Sequence, residues 1–352
     1  MINQCFGKRF NIFVNKIVFC LPIYCVNDKT QMMKDFENIK FNGRYYIHKN
    51  QLYFFNTGAG FSFKMKGKGF NILINSNTGE GYFYIIPDHD YKNKLKATAD
   101  RFFNYSFNEP GIHYVDIVKA NEANDNIMEL GMFFVDGDLL PYDYQYQKRV
   151  KVYGDSTVAG FGILAHDGEA SIHNSDGVRD FCYHALYELE MDMNILSASG
   201  YGLLFSSYTS PKTNGIINYI DKVAVDSSVD FKDNSTYDLL IISLGCNDNS
   251  FIQEEPSLKV QRVQEFKEAY KKLIDHETAK NKDLKILMVY GTLNEENAYY
   301  LYEETYEYLK PFYPHLYIYK FHGDNTGISN HAYVTAHNKM CKELQKVIKS
   351  II

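Results

Sequence analysis

Across residues 41–135, apolar and polar positions alternate in short runs broken by glycine and polar turns. Phe61-Ser62-Phe63-Lys64-Met65 is one such run, Phe70-Asn71-Ile72-Leu73-Ile74 follows after Gly67-Lys68-Gly69, and Gly81-Tyr82-Phe83-Tyr84-Ile85-Ile86 follows after Asn77-Thr78-Gly79. Residues 101–107, 113–118 and 127–134 continue the series. Alternation with period two gives a strand one apolar face, and strands at this spacing predict an all-β sandwich of the jelly-roll kind. Asp136-Gly137-Asp138 and the tyrosine-rich stretch 141–147 read as a linker. Beyond it the period changes. Strand-like runs at 149–153, 193–198, 238–244, 284–290 and 316–321 alternate with helical patterns around 178–190, 257–280, 295–309 and 332–350. That order predicts an α/β domain built on a doubly wound parallel sheet. The expected organisation is an N-terminal extension over 1–32, a sandwich over 33–140, a linker over 141–148 and the α/β domain over 149–352.

Four segments at the ends of these strands carry candidate chemistry. Gly154-Asp155-Ser156 follows the first strand, where a serine on a glycine-flanked turn can present its hydroxyl as a nucleophile. Ser197-Ala198-Ser199-Gly200-Tyr201-Gly202 ends the second, and glycine lets a backbone N–H approach a ligand closely. Gly245-Cys246-Asn247-Asp248 ends the third, with the Asn247 amide as a second donor. Asn330-His331 lies between the last strand and the last helix, and His337 follows on that helix. In open α/β sheets ligands bind beyond the carboxyl ends of the strands, where all four segments are expected. Asp155 reads as a turn former, Asp248 as a buttress of the Asn247 loop, and His337 as a buried structural histidine.

In this order the four segments resemble the SGNH (GDSL) hydrolase superfamily, whose serine, glycine, asparagine and histidine would be Ser156, Gly202, Asn247 and His331. A closer likeness is to carbohydrate esterase family 2, which joins an N-terminal β-sandwich to an SGNH domain. Its final block reads roughly Asp-Gly-His-Pro-Ser-x-x-x-His-x-Lys-Met, and this chain follows it through His331, His337, Lys339 and Met340. Two positions depart: Ser329 stands where that block has its acid, and Ala332 where it has proline. The resemblance implies an SGNH-type doubly wound domain preceded by a jelly-roll sandwich. It also implies O-deacetylation of acetylated sugars or xylan and mannan fragments. Ser156 would attack the ester carbonyl, His331 would shuttle the proton, and the Ser156 and Gly202 N–H groups with the Asn247 amide would hold the oxyanion. Asp324 is the nearest upstream carboxylate to complete a triad; a backbone carbonyl in the same loop would instead leave a serine–histidine dyad. Both remain open from the sequence, and the dyad is favoured.

Composition narrows the partners. The net charge is −6 with no basic run, so nucleic acid and anionic membranes are not expected partners, and a neutral substrate fits better. Tyrosine is abundant at 30 residues and tryptophan is absent; Phe161, Tyr201, Phe205, Tyr208 and Phe251 lie beside the motifs and could wall a cleft, with a core role the default for most of them. Phe161 and Tyr201 are the candidates for substrate contact. The six cysteines have neither zinc-like spacing nor disulfide-framework density, and the histidines lack ligand spacing. Neither a metal nor another cofactor is expected. The apolar run 17–26 is interrupted by Pro22 and lacks an Ala-x-Ala cleavage pattern, so a cytoplasmic location is expected, with secretion as the alternative. Two other functional readings stay open: an acylhydrolase acting on short-chain lipids or other esters, and a catalytically silent carbohydrate-binding protein. The sequence leaves the oligomeric state undetermined.

Overall fold

The computed structural model describes residues 35–207, 211–293 and 295–352, so the run 17–26 and Tyr208 lie outside the described residues. The N-terminal half is an antiparallel sheet of β1 (Ile39–Asn42), β2 (Tyr45–His48), β3 (Gln51–Phe54), β4 (Gly60–Ser76), β5 (Tyr82–Pro87), β6 (Leu95–Thr98), β7 (Phe102–Lys119) and β8 (Met128–Leu140). Their order is β2-β3-β8-β4-β7-β5-β6, with β1 also paired to β4.

Two expected strand breaks are absent. The runs on either side of Gly67-Lys68-Gly69 form the single strand β4, and the run 101–107, from Phe102 on, continues through 113–118 as β7. The pairing is irregular at one level of the sheet: opposite Lys68, residues 107–110 of β7 bow out without ending the strand, and β4 itself carries a bulge. Between Gly67 and Gly69 the partner β8 advances only from Gly137 to Asp136, so Lys68 is one residue too many on β4. That extra residue switches the parity of the strand. Phe61, Phe63 and Met65 point inward before it, and Phe70, Ile72 and Ile74 after it. The bent long strands thereby wrap both layers of a sandwich around one core that also holds Phe83, Val115 and Ile117. The Asp136-Gly137-Asp138 segment is likewise not a linker, since β8 runs through it. Gly137, at φ 134°, crosses so close to β4 that a Cβ there would overlap the Lys66 carbonyl oxygen.

The second sheet is wholly parallel: β9 (Arg149–Gly154), β10 (Asp192–Ser197), β11 (Leu239–Ser243), β12 (Lys285–Tyr290) and β13 (Leu316–Lys320), in the order β10-β9-β11-β12-β13. The helices are α1 (Ser156–Ala159), α2 (Phe181–Glu188), α3 (Cys246–Gln253), α4 (Lys259–Thr278), α5 (Tyr299–Leu309) and α6 (Val334–Ile351). Successive strand residues serve opposite faces. Val150, Val152, Ile241 and Leu287 pack with α2 and α6, while Tyr153, Leu240, Ile242 and Met288 pack with α4 and α5. This two-sided burial explains why the strands read as nearly continuous apolar runs.

Tyr84, Ile86, Val118 and Ala120 of the sandwich belong to the same apolar core as Val152 and Phe181. Arg44 is fully buried at this seam, its Nε donating to Asn194 Oδ1 at 3.0 Å and its Nη1 to the Ile220 carbonyl at 2.9 Å. Asn56 Nδ2 donates to the Val223 carbonyl at 2.7 Å, and the Tyr91 hydroxyl to the Val178 carbonyl at 2.6 Å. Among the described residues no helix is long and apolar enough to cross a membrane.

Candidate active site

The chain leaves β9 for β10 on one side and then returns to β11 on the other. The carboxyl ends of β9, β10 and β11 therefore flank the switch point at which open α/β sheets form their crevice. Ser156 is at the centre of this arrangement, as the first residue of α1. The Asp155 carboxylate caps that helix, accepting Thr157 N–H at 3.0 Å and Thr157 Oγ1 at 2.9 Å. Burial pushes the Asp155 carboxyl up to about 6, against the pull of those two donors.

Ser156 Oγ lies 2.7 Å from His331 Nε2. His331 follows a tight turn in which Ser329 and Asn330 take left-handed conformations, φ 51° and 62°. The turn closes through His331 N–H to the Ile328 carbonyl at 2.9 Å and Gly327 N–H to the His331 carbonyl at 2.8 Å. It brings the Ser329 carbonyl oxygen to 3.1 Å from His331 Nδ1. A carbonyl can only accept, so Nδ1 carries the proton and Nε2 offers its lone pair to the serine. Burial holds the imidazole below its ordinary pKa of 6.5, opposed by the carbonyls of Ser329 and Ile328. A neutral base at neutral pH is the result. The Phe161 ring packs 4.9 Å from the imidazole, centroid to centroid, and its N–H donates to the Ser156 carbonyl at 3.0 Å.

Asp324 is engaged elsewhere. Its Oδ1 accepts Thr326 Oγ1 at 3.1 Å and Thr326 N–H at 3.4 Å, a local turn contact. His337 is buried, and its Nδ1 accepts the Phe181 N–H at 3.2 Å at the start of α2. Burial pushes it down to about 3, so it stays neutral as an acceptor.

The donor side is built around Gly202. A Cβ at that position would overlap the Phe205 carbonyl oxygen and the Asp248 carboxylate. Asp248 is fully buried and accepts the N–H groups of Leu203 at 2.7 Å, Leu204 at 2.9 Å and Phe205 at 2.8 Å. It thereby pins the Gly202 turn to α3, rather than bracing only its own loop. Asn247 lies in the first turn of α3, so the segment read as a plain turn is a helix start. Its Nδ2 donates to the Tyr201 carbonyl at 3.2 Å, and its Oδ1 accepts the Ser207 hydroxyl at 3.1 Å. The Tyr201 carbonyl fixes which end of the amide is nitrogen, leaving its second N–H to donate to a ligand. The Tyr201 ring is buried with its hydroxyl on Asp226, so what Tyr201 brings to this region is its carbonyl. Ser207 was not anticipated, since nothing local distinguishes it in a polar loop.

Among the described residues, His184, Glu188 and Cys341 bring metal-ligating atoms within 4.8 Å of one another. They lie on α2 and α6, away from the four strand-end segments. Burial, helped by the Lys94 and Arg179 charges, holds the His184 imidazole below its ordinary pKa against the pull of Glu188, and burial pushes the Cys341 thiol up to about 12, which disfavours the thiolate that would bind a metal.

Residues 41–142 match a family model described as the carbohydrate esterase 2 N-terminal domain. The matched stretch runs from β1 to just past β8, the sandwich. Solved structures extend the likeness to both halves of the chain. A family two carbohydrate esterase from Clostridium thermocellum, in complex with cellohexaose, is 20% identical, with a TM-score of 0.76 over 89% of this chain and 98% of that one. A family two carbohydrate esterase from Cellvibrio japonicus is 18% identical, with a TM-score of 0.75 over 90% and 95%. An acetyl xylan esterase from the rumen bacterium Butyrivibrio proteoclasticus is 15% identical, with a TM-score of 0.74 over 89% and 96%. The search of curated proteins gave no match. At these identities what is shared is the fold: a β-sandwich followed by a parallel-sheet α/β domain, as in carbohydrate esterase family 2.

Proposed function

We propose that the chain is a serine esterase that removes O-linked acetyl groups from carbohydrates. The observation that carries the reading is the 2.7 Å contact between His331 Nε2 and Ser156 Oγ, with Nδ1 held by the Ser329 carbonyl. His331 takes the serine proton as Oγ attacks the acetyl carbonyl carbon. The resulting oxyanion is held by the N–H groups of Ser156 and Gly202 and the Asn247 amide. Collapse expels the sugar hydroxyl, which receives the proton from His331 and leaves an acetyl-serine. Water, deprotonated by the same histidine, then attacks the acyl carbon; the bond to Ser156 Oγ breaks, His331 returns the proton to Oγ, and acetate leaves. The orienting group in this reading is the Ser329 carbonyl, giving a dyad. Phe161 stands beside the base, where a substrate would contact it.

The sugar substrate is carried over from the cellohexaose complex of the Clostridium thermocellum esterase and the acetyl xylan esterase from Butyrivibrio proteoclasticus. The test is turnover of p-nitrophenyl acetate and of acetylated xylo- and manno-oligosaccharides by wild type and Ser156→Ala. Loss of several orders of magnitude in the variant is expected. Turnover within about tenfold of wild type would remove Ser156 as nucleophile. Preference for acyl chains longer than acetyl would turn the reading to a short-chain lipid or other acylhydrolase, and sugar binding without turnover to a binding protein. A cytoplasmic location completes the reading, and recovery of the active protein from culture medium would overturn that part.

A further inference from the structure

The loop between β7 and β8, residues 120–127, leaves the sandwich and enters the loops of the α/β half. On one side it meets the segment that follows α1: Gly177 N–H donates to the Ala120 carbonyl at 2.9 Å, and Asn121 Nδ2 to the Ile172 carbonyl at 2.9 Å. On the other side, Glu122 is almost fully buried and its Oε2 accepts the Ser199 N–H at 2.7 Å. Ser199 opens the turn Ser199-Gly200-Tyr201-Gly202, whose Tyr201 carbonyl orients Asn247.

We infer that Glu122 is a positioning residue for the oxyanion loop, so that the sandwich supplies part of the acyl-transfer machinery of the other half. The inference rests on the esterase reading above. Two buried carboxylates bracket Gly202: Asp248 grips the amides after it, and Glu122 grips the amide at the start of the turn. A hydrogen bond from a backbone amide to an ionised carboxylate is roughly twice as strong as a neutral one. Donors held in this way need not reorganise as charge develops on the substrate oxygen, and that readiness is the source of oxyanion-hole catalysis.

The charge on Glu122 is conditional. Burial and the neighbouring Asp125 carboxylate push its pKa up, while the Ser199 donors and Lys119 pull it down. Lys119, fully buried at the end of β7, donates to the Glu122 main-chain carbonyl at 3.0 Å and to the Asn121 carbonyl, and burial pushes its own pKa down. As pH falls through the raised pKa of Glu122, the carboxylate gains a proton and the Ser199 amide loses its anionic acceptor. The loop is therefore held most firmly on the alkaline side of that titration.

The full chain carrying Glu122→Ala should lose about tenfold or more in kcat on p-nitrophenyl acetate, with KM changed less than about twofold, because the clamp acts when charge develops. Glu122→Gln keeps a neutral acceptor for Ser199 and cannot titrate. As a mimic of the protonated carboxyl it should give a kcat between those of Glu122→Ala and wild type, and move the acidic limb of kcat/KM to lower pH, a shift that a merely structural residue would not produce. Hydrogen exchange of the Ser199 amide reads the clamp without turnover, and should be at least about tenfold faster in Glu122→Ala. A wild-type protein that hydrolyses no ester would refute the esterase reading, while the exchange result would still decide the clamp. Wild-type kcat in Glu122→Ala, an unmoved limb in Glu122→Gln, or unchanged Ser199 exchange would each overturn the inference.

Discussion

Asp324→Asn separates a dyad from a triad. In a serine–histidine–aspartate triad, neutralising the aspartate costs about 10⁴ in kcat, because the imidazole loses both its tautomer control and its charge partner. Here the group at His331 Nδ1 is the Ser329 carbonyl at 3.1 Å, and Asp324 Oδ1 is occupied by Thr326. An asparagine at 324 can still accept from Thr326 through its own oxygen. What remains is the through-space effect of one surface carboxylate on an imidazolium, about 1 kcal/mol or less, which is under tenfold in rate. The assay is a pH profile of kcat and kcat/KM for wild type and variant. The base must be neutral to accept the serine proton, and burial depresses the pKa of His331, so its neutral form persists below pH 6.5. With the second titrating group removed by Glu122→Gln, the acidic limb should fall below 6.5, and adding Asp324→Asn should leave it in place. A loss beyond about 10³ in Asp324→Asn, or a limb in the Glu122→Gln background that starts above 6.5 and drops when Asp324 is neutralised, would refute the dyad.

Three further outcomes are expected. Asn247→Ala should lower kcat by about 10²-fold or more with little change in KM, measured by steady-state kinetics; a change in KM alone would make Asn247 a binding residue. Gly202→Ala should abolish turnover and lower Tm, because its Cβ would meet the Phe205 carbonyl and the Asp248 carboxylate, neither of which can retreat without releasing the loop; a thermal melt and p-nitrophenyl acetate turnover matching wild type would contradict the packing. A fragment starting at Arg149 should be insoluble or much less active, since it exposes the apolar surface shared with Tyr84, Ile86 and Val118 and strips Asn194 of Arg44; full activity from that fragment would make the sandwich an independent appendage.

The parallel sheet was legible because two-sided burial writes itself into the sequence as apolar runs, and the helices between them kept their 3.6-residue rhythm. The antiparallel half was harder to divide. Gly67-Lys68-Gly69 and Gly137 looked like turn signals, whereas the glycines serve a bulge and a close crossing of strands, features set by partners far away in sequence. At the candidate site the residue types at strand ends were visible in advance, because glycine, serine and asparagine there have few local reasons to recur together. The supports of those residues were not. Ser207 on Asn247, Asp248 on the Leu203, Leu204 and Phe205 amides, and Glu122 on Ser199 are tertiary contacts with no local pattern.

The turn before His331 also has a bearing on how such a site can be dissected and how it can change. An acceptor that belongs to the main chain survives replacement of any side chain, so an alanine scan of the loop would report a base with no helper at all. Only changes that act on the backbone reach it: a β-branched or proline residue at 329, where φ is 51°, or replacement of the peptide unit itself. The same property leaves position 329 under weak chemical constraint. Asp and Asn accept left-handed conformations more readily than most residues, so a carboxylate can be gained or lost there without dismantling the turn that aims the carbonyl.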